Sequence, residues 1–335
     1  MASMIDFKQL MKEERERFKQ QTKKNATTLT KNDNKNKDAI TTQLTQDLIK
    51  EINKKYDSLE IKELEINEKH EHKTIKDFEI KHNILKNSIY YVPDVLTEDS
   101  YNIINTIINT STEKCWTQLK TRKLQIWGGH VGLDKEGSAV PNYLSDLSTL
   151  LNSHFKIFNE SSTNNHNNSN NTTITSSNFK NDDEDDIYMK MNNNNNKNET
   201  PNHYLINNYF PGQGILPHQD GPSYLPKVVI LSLQESCVFS FYKYIEGNSN
   251  ERRDQPPVAS LCLKPNSLLF FTNDAYHKYL HSIAAVVEDV IDSEACGMTL
   301  NKEEANVVTD EKICRINSRI SCTIRKVFWQ KENIL

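Results

Sequence analysis

The sequence predicts a mainly β protein with flanking helices, preceded by a helical and partly disordered extension. Three observations carry this reading. All nine glycines lie between positions 128 and 297, in the part of the chain where turns are needed. From residue 201 onward nearly every stretch is a short apolar or alternating run bounded by turn residues, the pattern of strands. The first 127 residues hold no glycine and one proline, Pro93, and read mostly as charged helix. Apolar content is 36%, below the roughly 45–50% of an ordinary globular chain even with glycine allowed for. Part of the 335 residues is therefore expected to stay unpacked.

The elements follow in chain order. Residues 5–24 set Ile5, Phe7, Leu10, Met11 and Phe18 along one stripe of a charged amphipathic helix. Residues 25–42 are Asn, Thr and Lys, the composition of a disordered segment. Helical composition returns over 43–86, where Leu44, Leu48, Ile49, Ile52, Leu59, Ile61, Leu64 and Ile66 sit among dense charge. This is the pattern of a solvated or partner-seeking helix. Lys and Arg outnumber Asp and Glu by only 19 to 16 over residues 1–86, a weak signal for an electrostatic nucleic-acid contact. "SIYYVPDVL" (88–96) reads as a strand running into a turn. "TEDSYNIINTIINT" follows as a helix with Thr97 as its N-cap. "WTQLKTRKLQIWGGH" (116–130) alternates and ends in Gly-Gly, as strands of a hairpin would, and "VPNYLSDLSTLLNSHF" is a helix. The Asn-rich stretch at about 159–200 cannot bury enough apolar area to offset its ordering entropy. The chain thus divides into an extension, 1–87, and a domain, 88–335, interrupted by that insert.

The totals exclude some classes. A net charge of −4 gives no dominant basic surface. Six cysteines with no CxxC spacing suit reduced thiols in the cytoplasm or nucleus. No apolar run near the N-terminus suits a signal peptide or a membrane span.

The candidate chemistry begins at "PGQGILPHQDGPSYLP" (211–226), which takes three of the nine glycines and four of the ten prolines. His218 and Asp220 lie one residue apart in it and would point the same way, half of a metal site. Upstream, "NHYLINNYF" puts His203, Leu205, Asn207 and Tyr209 on one face of a strand. Downstream, "SLLFF" is a buried strand, and His281 in "YLHSI" or His277 four residues earlier offers a third ligand. Two His and one carboxylate would leave open positions on Fe(II), as oxygen activation needs. The strictly alternating "INSRISCTIRKVFW" (316–329) places Arg319, Ser321, Thr323 and Arg325 on one face and Ile320, Cys322 and Ile324 on the other. Two arginines on a cleft face are costly unless they meet anions, and a small dicarboxylate suits their planar forks.

"LINNYFPGQGILPHQDGP", "YLHSIAA" and "RISCTIRKV" together resemble the AlkB family of Fe(II)/2-oxoglutarate dioxygenases. The resemblance covers roughly 88–158 and 201–329 and not the extension or the insert. It implies a double-stranded β-helix, a jelly-roll core, with His218, Asp220 and His281 as iron ligands. Asn207, Tyr209, Arg319, Ser321 and Arg325 would bind 2-oxoglutarate; Ser321 departs from the Asn of the bacterial member. The implied reaction consumes O2, decarboxylates 2-oxoglutarate and hydroxylates a C–H bond, so that an N-methyl group leaves as formaldehyde.

The substrate class implied is N-alkylated RNA or DNA. Trp116, Trp127 and Tyr224, with Arg122 and Lys123, are the aromatic and basic candidates to meet it. Protein partners through the N-terminal helices are a further expectation, with no membrane association and a cytoplasmic or nuclear location. The alternative is a catalytically weak scaffold of the same fold, which would have no use for a complete ligand set.

Overall fold

A computed structural model describes residues 34–59, 63–83, 85–129, 139–158, 200–244 and 255–327. The helix expected over 5–24 and the insert over 159–199 lie outside these residues. Two antiparallel sheets form the jelly-roll core. The major sheet runs β1-β9-β6-β13-β4-β3-β2 and the minor sheet β5-β10-β7-β8. Their strands are β1 Ile89–Val92, β2 Thr117–Gln118, β3 Lys123–Gly128, β4 His203–Tyr209, β5 Ile215–His218, β6 Lys227–Ser232, β7 Cys237–Lys243, β8 Ala259–Leu263, β9 Leu268–Thr272, β10 Tyr279–Ile283 and β13 Arg319–Arg325. A separate two-stranded pair, β11 Glu288–Val290 with β12 Lys312–Cys314, stands outside both sheets.

The major sheet is buried on both faces, and period-two alternation assigns each residue to one of them. Val229, Leu231, Leu268, Phe270, Ile320, Cys322 and Ile324 pack toward the helices. Val228, Ile230, Leu269 and Phe271 pack toward the minor sheet, against Val238, Phe239, Phe241, Leu261 and Ile283. Each such large side chain contributes about 1.5–3 kcal/mol on full burial, so a one-residue slip in any of these strands would exchange its two faces.

The helices cover the outer face. They are α1 Asn34–Asp57, α2 Glu98–Asn109 and α3 Asn142–Phe155, while the short α4 Asn273–His277 packs Ala275 and Tyr276 with the core between the sheets. Thr97 caps α2 as its sequence foretells, its hydroxyl accepting from Ser100 N. Two expectations are corrected. The segment expected to be disordered to residue 42 is helical from Asn34, and the helix expected through 86 ends at Asp57. Ile49 and Ile52 explain the first, since both are buried in the helix-side core and draw the helix onto it. Beyond Asp57 the chain turns back. Ile66 bridges to Leu96 and Glu79 to Tyr90, and Leu64 and Ile80 enter the two cores. These contacts outweigh local helix propensity and cover the edge strand β1. Among the described residues no helix is long and apolar enough to cross a membrane.

Candidate metal centre

Two strands of the minor sheet bring the first ligands together. β5 is an edge strand, so Pro217 within it removes no ladder hydrogen bond. Its last residue, His218, stands directly opposite His281 of β10, with ring centroids 4.3 Å apart. The chain then turns through Gly221 at φ +86°, a conformation that favours glycine, and Asp220 folds in beside them. Ligand atoms of His218, Asp220 and His281 all lie within 4.8 Å of one another. The alternative third ligand is set aside: His277 ends α4, is exposed, and uses its carbonyl to accept from Gln219 Nε2 at 2.8 Å.

The protonation states suit a metal. His218 Nδ1 lies 2.8 Å from Leu216 O; a neutral imidazole donating there carries its lone pair on Nε2. Burial holds the His218 imidazole below its ordinary range. Burial, with His218 beside it, pushes His281 down to about 3, and the ring is stacked on Phe239 at 5.4 Å. Burial alone would raise Asp220, but Arg325 and the two neighbouring imidazoles together outweigh it and lower the carboxyl to about 2. Both imidazoles are therefore neutral and the carboxylate ionised near pH 7, the forms that ligate.

One oxygen of that carboxylate is engaged and the other is not. Arg325 Nη1 donates to Asp220 Oδ1 at 2.8 Å, and His281 Nε2 lies 3.9 Å from the same atom. Asp220 Oδ2 is buried without a hydrogen-bond partner. An orphaned buried carboxylate oxygen costs several times an ordinary hydrogen bond, and a cation between it and two imidazole lone pairs would satisfy it. The donor set fits Fe(II).

The same pocket holds an anion cradle. Arg319 is 2% exposed. Its Nη1 donates to Ser321 Oγ at 2.9 Å and its Nη2 to Ser232 Oγ at 3.3 Å, while Nε has no partner. Among the described residues no carboxylate pairs with it. A buried guanidinium met by two hydroxyls and the Cys237 thiol, with no carboxylate against it, is a place for an anion. Asn207 and Tyr209 face it across the β4–β13 ladder, where Tyr209 pairs with Arg319 and Asn207 with Ser321. Arg122 Nε donates to Asn207 Oδ1 at 2.9 Å, which turns the amide nitrogen of Asn207 toward other acceptors. Arg325, read in sequence as a 2-oxoglutarate residue, also lines the pocket, but its charged partner is Asp220.

The sequence-predicted substrate residues divide by parity. Arg122 and Tyr224 line the pocket. Trp116, Lys123 and Trp127, the other candidates to meet the substrate, do not. Trp127 is paired with Tyr204 and Lys123 with Asn208, residues of β4 that alternate away from the cavity. Trp116 and Trp127 lie in the helix-side core, and Lys123 Nζ sits 4.8 Å above the Trp116 ring. Phe239 and His203 line the pocket without having been named as site residues. Only His203 had a readable signal, its place on the inward face of β4.

Comparison with known proteins agrees with this geometry. The sequence profile of the 2OG-Fe(II) oxygenase superfamily matches residues 90–325. A zebrafish (Danio rerio) protein named "Probable RNA/DNA demethylase ALKBH6" is 27% identical over 243 residues, covering 72% of this chain and 86% of that one. The "Uncharacterized protein L905" of Acanthamoeba polyphaga mimivirus is 28% identical over 135 residues, 40% of this chain and 52% of its own. Among solved structures, OsALKBH1 aligns over 72% of this chain and 99% of its own with a TM-score of 0.39 at 13% identity. A 2OG-Fe(II) oxygenase-family oxidoreductase from Burkholderia pseudomallei aligns over 79% and 94% with a TM-score of 0.37 at 10% identity.

Proposed function

Because this chain belongs to the 2OG-Fe(II) oxygenase superfamily, in its AlkB branch, we propose that it is an oxidative demethylase of N-alkylated nucleic acid. It is an oxidoreductase that works with Fe(II), 2-oxoglutarate and O2. The observation that carries the proposal is the convergence of His218, Asp220 and His281, with a buried arginine, Arg319, that no carboxylate pairs, in the same cavity. The name of the zebrafish relative is what points the substrate toward RNA or DNA.

His218, Asp220 and His281 would hold the iron, which when bound supplies O2 activation coupled to decarboxylation of 2-oxoglutarate and hydroxylation of a substrate C–H bond. The chain's own residues prepare that step. Arg319, between the hydroxyls of Ser321 and Ser232, would bind the distal carboxylate, and the strand partners Asn207 and Tyr209 would donate to the co-substrate from the facing strand. Arg122 fixes the orientation of the Asn207 amide. Val228, Ile230, Phe239 and Ile283 exclude water from the cavity, which strengthens every charge interaction inside it. The scaffold reading gains no support from this site, since a scaffold has no use for it.

The test is succinate release by the full chain with anaerobically added Fe(II), with and without methylated RNA and DNA oligonucleotides. Iron-dependent succinate that disappears in His218→Ala, together with formaldehyde release stimulated by one oligonucleotide, is the expected result. Turnover that no oligonucleotide stimulates would move the substrate to another polymer.

A further inference from the structure

Asp220 is held from one side. Arg325 fixes Oδ1, and Oδ2 is the oxygen left for a metal. The direction of that oxygen is therefore inherited from the guanidinium. Arg325 is 5% exposed, and its Nε has no partner to set the plane of the fork. What lies against the plane is an aromatic ring: the Arg325 Cζ is 4.1 Å from the centroid of Tyr224. Tyr224 is itself 4% exposed, and the His203 ring meets it edge-on at 5.4 Å and 70°. Its backbone is pinned by a bridge to Val327, two residues past Arg325. The loop that carries Asp220 thus returns four residues later to clamp the arginine that holds Asp220.

We propose that Tyr224 is a positioning residue for the metal, acting through Arg325 on Asp220. A desolvated guanidinium over a tyrosine face is a strong form of cation–π contact, and a planar fork can stack where an ammonium cannot. Partners that orient a ligating carboxylate tune metal affinity without touching the ion. Tyr224 then acts on the ligand through Arg325, a role beyond the substrate contact its sequence context suggested. The proposal rests on the reading of His218, Asp220 and His281 as metal ligands.

Co(II), whose visible bands report its ligand geometry, can be titrated anaerobically into the full chain without 2-oxoglutarate. Tyr224→Phe keeps the ring and should bind within about twofold of the unmodified protein. Tyr224→Met fills similar space without a ring and should bind roughly three- to tenfold more weakly, with altered band intensities. In an Arg325→Met background, Tyr224→Met should change nothing further. Unchanged affinity and spectrum in Tyr224→Met overturn the proposal, as does an equal loss with Arg325 already replaced. Should Tyr224→Met fail to fold, Arg325→Lys decides: it keeps the charge and loses the stacked plane, so it should bind about as weakly as Arg325→Met, and binding equal to arginine overturns the proposal. If the unmodified chain takes up no Co(II), or if His218→Ala leaves its uptake unchanged, the ligand reading falls and the proposal with it. Normal uptake that is insensitive to Tyr224 sinks the proposal alone.

Discussion

His218 and His281 are direct partners across the β5–β10 ladder, their ring centroids 4.3 Å apart. Register alone thus brings together two groups more than sixty positions apart in sequence. His281→Ala should weaken metal binding by more than the roughly 10–100-fold typical of residues that merely support a ligand, and should abolish turnover. His277→Ala, at an exposed position four residues earlier, should stay near the unmodified rate. Equal losses in the two would show that the wrong histidine has been assigned. Metal titration beside succinate release checks both.

The same register depends on Gly214. A Cβ there would lie 2.2 Å from Ile283 O and 2.8 Å from Ala284 C, both backbone atoms. Gly214→Ala must push β5 away from β10, and His218 leaves with it. We expect a folded protein by circular dichroism whose metal affinity falls at least about tenfold, as for loss of a support residue. Undiminished metal uptake would mean that the two strands tolerate the displacement.

Arg319 separates co-substrate binding from metal binding. Arg319→Met removes the buried guanidinium and leaves Asp220, Arg325 and both histidines in place. Truncating one side of a buried charge pair costs about 2–5 kcal/mol, so 2-oxoglutarate affinity should fall by about two orders of magnitude while Co(II) uptake is kept. Calorimetric titration of each ligand measures the split. A co-substrate affinity near that of the unmodified protein would remove Arg319 from the anion site.

The extension contributes a pH dependence. His70 is 2% exposed, and its Nε2 donates to Pro93 O at 2.7 Å. Burial holds its imidazole below the ordinary value of 6.5. The unfolded chain therefore takes up this proton before the folded one does. Its stability contribution is present above about pH 6.5 and is lost progressively as the pH falls below that value. Melting temperature should drop between pH 7.5 and 5.5, and His70→Gln should flatten part of that slope. A slope identical in the variant would show that other groups account for it.

Much of the site was legible because strands write their faces in alternation. Arg319, Ser321, Thr323 and Arg325 fall on the cavity side of β13, and His203, Leu205, Asn207 and Tyr209 on that of β4, as their parity required. "YLHSI" is β10 residue for residue. Parity gives two faces, however, and not which of them meets the cavity. For β3 that depends on pairing with β4, so Trp127 went to the helices with Tyr204 while Arg122, of opposite parity, turned inward. The bond from Arg325 to Asp220 joins residues about a hundred positions apart and has no local signature. The limits of α1 were missed for a related reason, since its extent is set by the core against which Ile49 and Ile52 pack.

The arginine strand has a consequence for the order of assembly. Strands β5 and β10, with all three candidate ligands, precede β13 in the chain, and β13 inserts between β4 and β6 at the centre of the major sheet. During synthesis the ligand trio is complete before its countercharge exists. Until β13 enters, Asp220 sits beside two imidazoles with no guanidinium to pair with it, and the sheet stays split along the seam that β13 closes. Such long-range insertion is intrinsically slow and leaves strand edges exposed. Closing the central seam and charging the site are thus a single late event, so a chain halted before residue 319 would lack both the joined sheet and the anion cradle.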